Sequence, residues 1–131
     1  MHHVEDPETI LKKSFNLLNK KGSIYIFEPL IRELHQLPED YGRFTPSRLK
    51  TTLSDIGFSN FKIRKTGGPF TCISYFWDQA IQYIPKNKRI NYSRWLDKEF
   101  EKFNLMDKKY KKNLVRKNTE APVAFSIIAY K

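Results

Sequence analysis

Several things are scarce in this 131-residue sequence, and each scarcity excludes something. There is one cysteine, Cys72, so no intrachain disulfide and no cysteine-based zinc site can form. The five glycines, Gly22, Gly42, Gly57, Gly67 and Gly68, are all assigned to helix caps and turns. No apolar run approaches the roughly 20 residues of a membrane-spanning helix. The opening Met1-His2-His3-Val4-Glu5-Asp6 lacks the basic region and apolar core of a signal peptide, and the expected location is cytoplasmic. Acidic residues are outnumbered, 14 against 24 Lys and Arg.

What is present suits a folded protein. Forty per cent of the residues are apolar and 15% aromatic, and the length fits one domain spanning 1–131. The net charge of +10 is uneven, because residues 86–118 hold 12 Lys and Arg against 4 Asp and Glu. A basic stretch can meet nucleic acid or an anionic membrane. Here Lys outnumbers Arg 17 to 7, whereas Arg is the better bidentate reader of phosphates and bases. A solvated helix face is therefore expected, not a nucleic-acid partner.

Asp6-Pro7-Glu8 is a helix start, with an N-cap Asp, Pro in the first position and an acid in the first turn. Ile10, Leu11, Phe15, Leu17 and Leu18 supply an apolar face, so a helix is expected over about 7–20. Lys20, Lys21 and a left-handed Gly22 are the expected cap. Ile24 to Phe27 has no polar alternation and reads as a strand, Ser23–Glu28, buried on both faces in the middle of a sheet. Thr45-Pro46 opens a second helix that Gly57 closes. Phe58 to Lys65 alternates and predicts a half-exposed edge strand. Spacings of three and four return from Phe70 to Ile84, predicting a helix stopped by Pro85, and a further helix runs from about Tyr92 to Leu114. Pro122 to Tyr130 reads as a buried final strand. The order predicts an α/β fold, with residues 71–118 as a helical insert.

Ligands of α/β sheets bind beyond the carboxyl ends of the strands. Glu28 and the following loop therefore sit where chemistry is expected. In that loop His35 is a candidate general base, Asp40 a candidate to orient it, and Arg43 a candidate anion clamp. The alternative is that Asp40 pairs with Arg43 to hold the loop shut while Tyr41 and Phe44 plug it into the core. His2 and His3 next to Glu5 and Asp6 are the other polar cluster. Neighbours in an extended segment point apart and no ligand set at helical spacing follows, so no metal is expected there.

At these residues the sequence resembles a known family. The stretch HHVEDPETILKKSFNLLNKKGSIYIFEP, then LHQLPEDYGRFTPSRLKTTLSDIGFSNFKI and GGPF, is similar to the C-terminal half of class I S-adenosylmethionine-dependent methyltransferases, in particular the type 11 group. The match covers residues 2 to about 70. The family fold is a Rossmann-like sheet in the order 3-2-1-4-5-7-6, its last strand antiparallel and inserted between the fifth and sixth. The resemblance implies that Ser23–Glu28, Phe58–Lys65 and Val123–Tyr130 are the fifth, sixth and seventh strands.

The resemblance also implies S-adenosylmethionine as cofactor and an unidentified methyl acceptor. His2 and His3 fall where the family faces the cofactor, His3 and His35 become candidate bases, and Glu28, Asp40, Tyr41 and Arg43 become candidate substrate contacts. The family's Gly-rich cofactor turn and ribose-binding acid have no counterpart in the matched region, so a truncated chain inactive alone is expected. Ser23–Glu28 would then offer an apolar, unpaired edge to an N-terminal-half chain or to a second copy. Two alternatives stay open, a basic interaction module for nucleic acid or anionic membrane and one half of a split methyltransferase.

Overall fold

The computed structural model describes residues 1–116 and 120–131, with side chains to 113 and from 120. The described elements run α1 (Pro7–Leu17), β1 (Ser23–Pro29), α2 (Pro46–Ile56), β2 (Ser59–Thr66), α3 (Pro69–Ile81), α4 (Lys86–Arg116) and β3 (Ala124–Tyr130). Two compact units result, Met1–Lys65 with Ala124–Lys131, and Thr66–Val123.

In the first unit Asp6 accepts from the Thr9 amide at 3.0 Å and Thr45 from the Arg48 amide at 3.2 Å, so both Pro-led helices are capped as their sequences predict. Helix α1 ends sooner than expected, with Leu18 extended. Its carbonyls at Phe15 and Leu18 are met by Lys131 Nζ, at 2.7 and 2.8 Å. The left-handed residue is Lys21 at φ 66°, not Gly22. A distant cation satisfied the carbonyls that local spacing had assigned to Lys20 and Lys21. Gly57 at φ 116° closes α2 as read, its amide donating to Ser54 O.

The sheet order is β1-β3-β2, with β3 antiparallel to β1 in the register Ile24↔Ala129, Ile26↔Ile127, Glu28↔Phe125. Ser59 Oγ meets Tyr130 O while the Val123 amide meets Thr66 O, so β2 also runs against β3. The expected 5-7-6 arrangement, last strand in the middle and antiparallel, is what the chain forms. Leu11 of α1 and Leu49 and Leu53 of α2 pack on one sheet face with Ile26, Phe125, Ile127, Ala129 and Phe58. Each of these Leu, Ile and Phe side chains removed from water contributes about 1.5–3 kcal/mol.

The other face corrects the expectation for β1. Tyr25 and Phe27 are 64% and 55% exposed, while Ile26 and Glu28 are buried. Apolar residues alternate to both sides of this strand, yet the helices α1 and α2 cover one side. Among the described strands β1 also lies at an edge, not in the middle. The prediction of an edge for β2 agrees with its terminal place and its mostly exposed residues.

In the second unit α3 and α4 pair with each other. Helix α3 stops at Ile81, three residues before the expected end, and Pro85 immediately precedes α4 instead of ending α3. Helix α4 starts six residues earlier than its apolar stripe suggested, since proline is tolerated at a helix start. Cys72, Ser74, Ile81 and Leu96 are buried, whereas Ile73, Phe76 and Phe100 are about half exposed, because one partner helix cannot cover two apolar flanks. The side chain of Leu114 lies outside the described ones. Lys108, Lys109, Lys111 and Lys112 are exposed on α4. No described helix is long and apolar enough to cross a membrane.

Candidate functional site

All the polar residues singled out in the sequence belong to the first unit, at the carboxyl end of β1. Residues 1–4 form a turn closed by the Val4 amide on Met1 O at 3.0 Å, with His2 and His3 at its corner. A turn swings neighbouring side chains together where an extended segment would separate them. The His2 and His3 rings are 4.1 Å apart between centroids, which overturns the expectation that they point apart.

The loop after β1 folds back onto this turn. Tyr41 donates its amide to His2 O at 2.9 Å, and His3 Nδ1 lies 2.7 Å from Glu39 O. His35 comes with the loop, its ring 4.6 Å from His3 and 5.4 Å from His2. The three histidines of the chain thus form one cluster.

Hydrogen-bond partners fix the tautomers, because a carbonyl or carboxylate only accepts. His3 Nδ1 faces Glu39 O, so Nδ1 carries the proton and Nε2 a lone pair. His35 Nδ1 faces Glu33 O at 3.0 Å and Asp40 Oδ2 at 3.3 Å, so it too is protonated at Nδ1. His2 Nδ1 lies 2.9 Å from Glu28 Oε2, leaving Nε2 as its lone pair. Between His3 and His35 the two Nε2 atoms are 3.0 Å apart.

Glu28 is fully buried. Its Oε2 takes the His2 ring and its Oε1 accepts from the Met1 nitrogen. Burial pushes the His2 pKa down, more than the hydrogen bond to Glu28 raises it, so the neutral ring is favoured. Asp40 is likewise occupied, its side chain closed to solvent. Both carboxylate oxygens accept from the Arg43 guanidinium, Oδ2 at 2.9 Å from Nη2, and Oδ2 also takes the His35 amide at 3.0 Å. The Arg43 hydrogen bonds hold the Asp40 carboxyl well below the usual range and raise Arg43 in turn. Arg43 further donates to Gly42 O at 2.8 Å and Glu33 O at 3.3 Å. The loop-clamp alternative describes Asp40 and Arg43, while Tyr41 is half exposed and does not plug the core.

Beside the cluster opens a cleft of about 400 Å³, lined by Met1, His2, the stretch from Val4 to Glu8, the loop from Tyr41 to Phe44, and Arg48. His2 reaches both the cleft and the cluster. The fold therefore gathers His2, His3, Glu28, His35, Asp40, Tyr41 and Arg43 in one place. Sequence reasoning missed the cluster of three rings. The signal for it was the pair of Pro- and Gly-rich loop ends around His35, which return the loop to the strand end.

No family model and no curated protein matches the chain in sequence. Among solved structures, the chain is similar to a SAM-dependent methyltransferase from Archaeoglobus fulgidus, at 20% identity and a TM-score of 0.49, over 99% of this chain and 55% of that one. It is also similar to phosphoethanolamine N-methyltransferase 2 of Haemonchus contortus, solved with S-adenosyl-L-methionine, at 12% identity and a TM-score of 0.45, over 98% of this chain and 30% of that one. The chain thus spans about half the length of the first structure and less than a third of the second.

Proposed function

We propose that this chain is the substrate-side part of an S-adenosylmethionine-dependent methyltransferase domain of the type 11 kind, not competent alone. The sheet order carries the reading. A last strand lying antiparallel between its two predecessors is what the sequence resemblance required of β1, β3 and β2. The terminal place of β1 among the described strands fits a sheet that continues into a fourth strand on another segment or chain.

In this reading the cleft beside Tyr41 and Arg48 receives the methyl acceptor. Transfer from a sulfonium is largely a matter of alignment, with nucleophile, methyl carbon and sulfur in line. The buried clamp of Asp40 on Arg43 and the His35 amide fixes the loop that forms one wall. His3 and His35, the candidate bases, do not line that cleft, and their Nε2 atoms face each other at 3.0 Å.

Calorimetry with S-adenosylmethionine tests this. Chain 1–131 alone is expected to give no heat of binding. Mixing it with a separate polypeptide that carries the Gly-rich cofactor-binding half of a methyltransferase domain is expected to restore micromolar affinity. Micromolar binding to the monomeric chain alone, or no binding in either sample, refutes the proposal.

A further inference from the structure

We propose that His2, His3 and His35 form a three-histidine site for a divalent transition-metal ion of the zinc type. Each ring would ligate through Nε2 while its Nδ1–H is held by the protein. This inference stands independently of the methyltransferase reading.

One ring nitrogen from each histidine lies within 4.8 Å of the other two. The anchoring of the opposite nitrogens is what distinguishes this cluster from a chance meeting of rings. Metal-bound histidines almost always donate their second N–H to a carbonyl or carboxylate, which fixes tautomer and ring orientation. Here Glu39 O holds His3, Glu33 O holds His35, and the buried Glu28 carboxylate holds His2. Three separate backbone or side-chain acceptors thus leave a lone pair on each opposite nitrogen, and those of His3 and His35 face each other.

The His3 and His35 Nε2 atoms are 3.0 Å apart, and with both Nδ1 atoms protonated a cation between them would satisfy their lone pairs. A zinc ion 2.0–2.1 Å from both would subtend about 95°, and opening the pair by roughly 0.3–0.4 Å reaches the tetrahedral angle. A single shared proton is the competing cation. It satisfies two rings and leaves the third, His2, oriented on a fully buried carboxylate for no partner. Neutral imidazoles suit zinc, copper, nickel and iron, and three protein nitrogens leave a position for water or an oxygen donor. His2 also lines the cleft, so that open position lies near it.

The sequence argument against a metal rested on two adjacent rings and a missing third ligand. The turn and the returning loop supply both.

The test uses the untagged chain, whose histidines are all in the cluster. Zinc titrated by calorimetry is expected to bind at one equivalent with micromolar or tighter affinity. Cobalt(II) is expected to give the visible absorption of a four-coordinate site. His35→Ala and His35→Gln are each expected to weaken zinc by about 100-fold or more, beyond the 10–100-fold typical of losing an outer partner. Because a free amino-terminal amine can ligate a metal, the amino-terminally acetylated chain is measured alongside and is expected to keep the affinity. Long-range proton–nitrogen NMR of the metal-free chain is expected to show Nδ1–H tautomers, independent of any variant.

Zinc affinity unchanged in both His35 variants, or lost on acetylation, overturns the site by assigning the metal to the amino terminus. Absence of zinc binding with a proton shared between His3 and His35 in the NMR spectra overturns it in favour of the shared proton.

Discussion

Helix α3 begins without a cap of its own, and Asp107 of α4 supplies one from 37 residues away. The residue before the helix is Gly68, which has no side chain to accept from the first turn. Asp107 accepts from the Phe70 amide at 3.0 Å, the Thr71 amide at 2.9 Å and the Thr71 hydroxyl at 2.5 Å. Gly68 is required for this approach, since a Cβ there would stand 2.5 Å from Asp107 Oδ1. Asp107→Ala strips two amides of their acceptor, while the Thr71 hydroxyl keeps Asn104 Oδ1 at 3.3 Å. A lost cap costs about 0.5–2 kcal/mol, and a hydrogen bond to a charged group contributes about 1.5–3 kcal/mol. Water reaches this partly exposed site and recovers some of that, so about 2–3 kcal/mol is expected. Asp107→Asn keeps one oxygen and is expected to cost about 1 kcal/mol.

The assay is urea unfolding followed by tryptophan fluorescence. The chain's two tryptophans, Trp77 on α3 and Trp95 on α4, stack edge to face at 5.2 Å and report this helix pair alone. With a slope of about 1.5 kcal/mol per molar urea, Asp107→Ala is expected to lower the midpoint by about 1.5 M. A change below about 0.3 M, or an effect of Asn as large as that of Ala, would show that the carboxylate does not cap α3.

Two further predictions concern the first unit. The depressed folded pKa of His2 makes its contribution complete above the unfolded value of about 6.5 and lost as pH falls through the folded value. That of Asp40 is complete above about 3.9 and lost only at lower pH. Stability by circular dichroism is expected to fall in two stages, the first absent in His2→Gln, and a flat profile from pH 7 to pH 5 refutes the His2 stage. At Gly57 an alanine must adopt φ 116° with its Cβ 3.1 Å from the Phe15 ring. Gly57→Ala is expected to cost about 1–2 kcal/mol, read as a melting temperature several degrees lower, and an unchanged melting temperature refutes the strain.

Much of the first unit was legible because its signals are local. Asp6-Pro7 and Thr45-Pro46 announce helix starts through their own side chains, and Gly57 announces an end through its own backbone freedom. The strand order was legible through the resemblance to a known family, since nothing in Ala124–Tyr130 alone says that it lies between two earlier strands. What could not be read depended on partners distant in sequence. Lys131 caps α1 from 113 residues beyond Leu18, Asp107 caps α3, and His35 meets His3 across 32 residues. Periodicity also overstated burial at Tyr25 and Phe27, because an apolar run records what a strand tolerates on both faces and not which faces this chain covers.

Glu28 lies at the carboxyl end of β1 with its hydrogen bonds made inside the chain. A carboxylate at the carboxyl end of a sheet strand is where a substrate contact is sought. Both of its oxygens are spent inside the chain, on Met1 and on the His2 ring. Burying a carboxylate is costly unless every lone pair finds a donor, so an acid in this position is retained for what it orients. What it orients is the His2 ring, which packs against His3 and His35. The loop follows the same plan, with Asp40 buried against Arg43 and the His35 amide while the His35 Nε2 faces His3. In both places a buried acid supports a histidine, and any ligand of this site meets the three rings and the cleft before it meets Glu28 or Asp40.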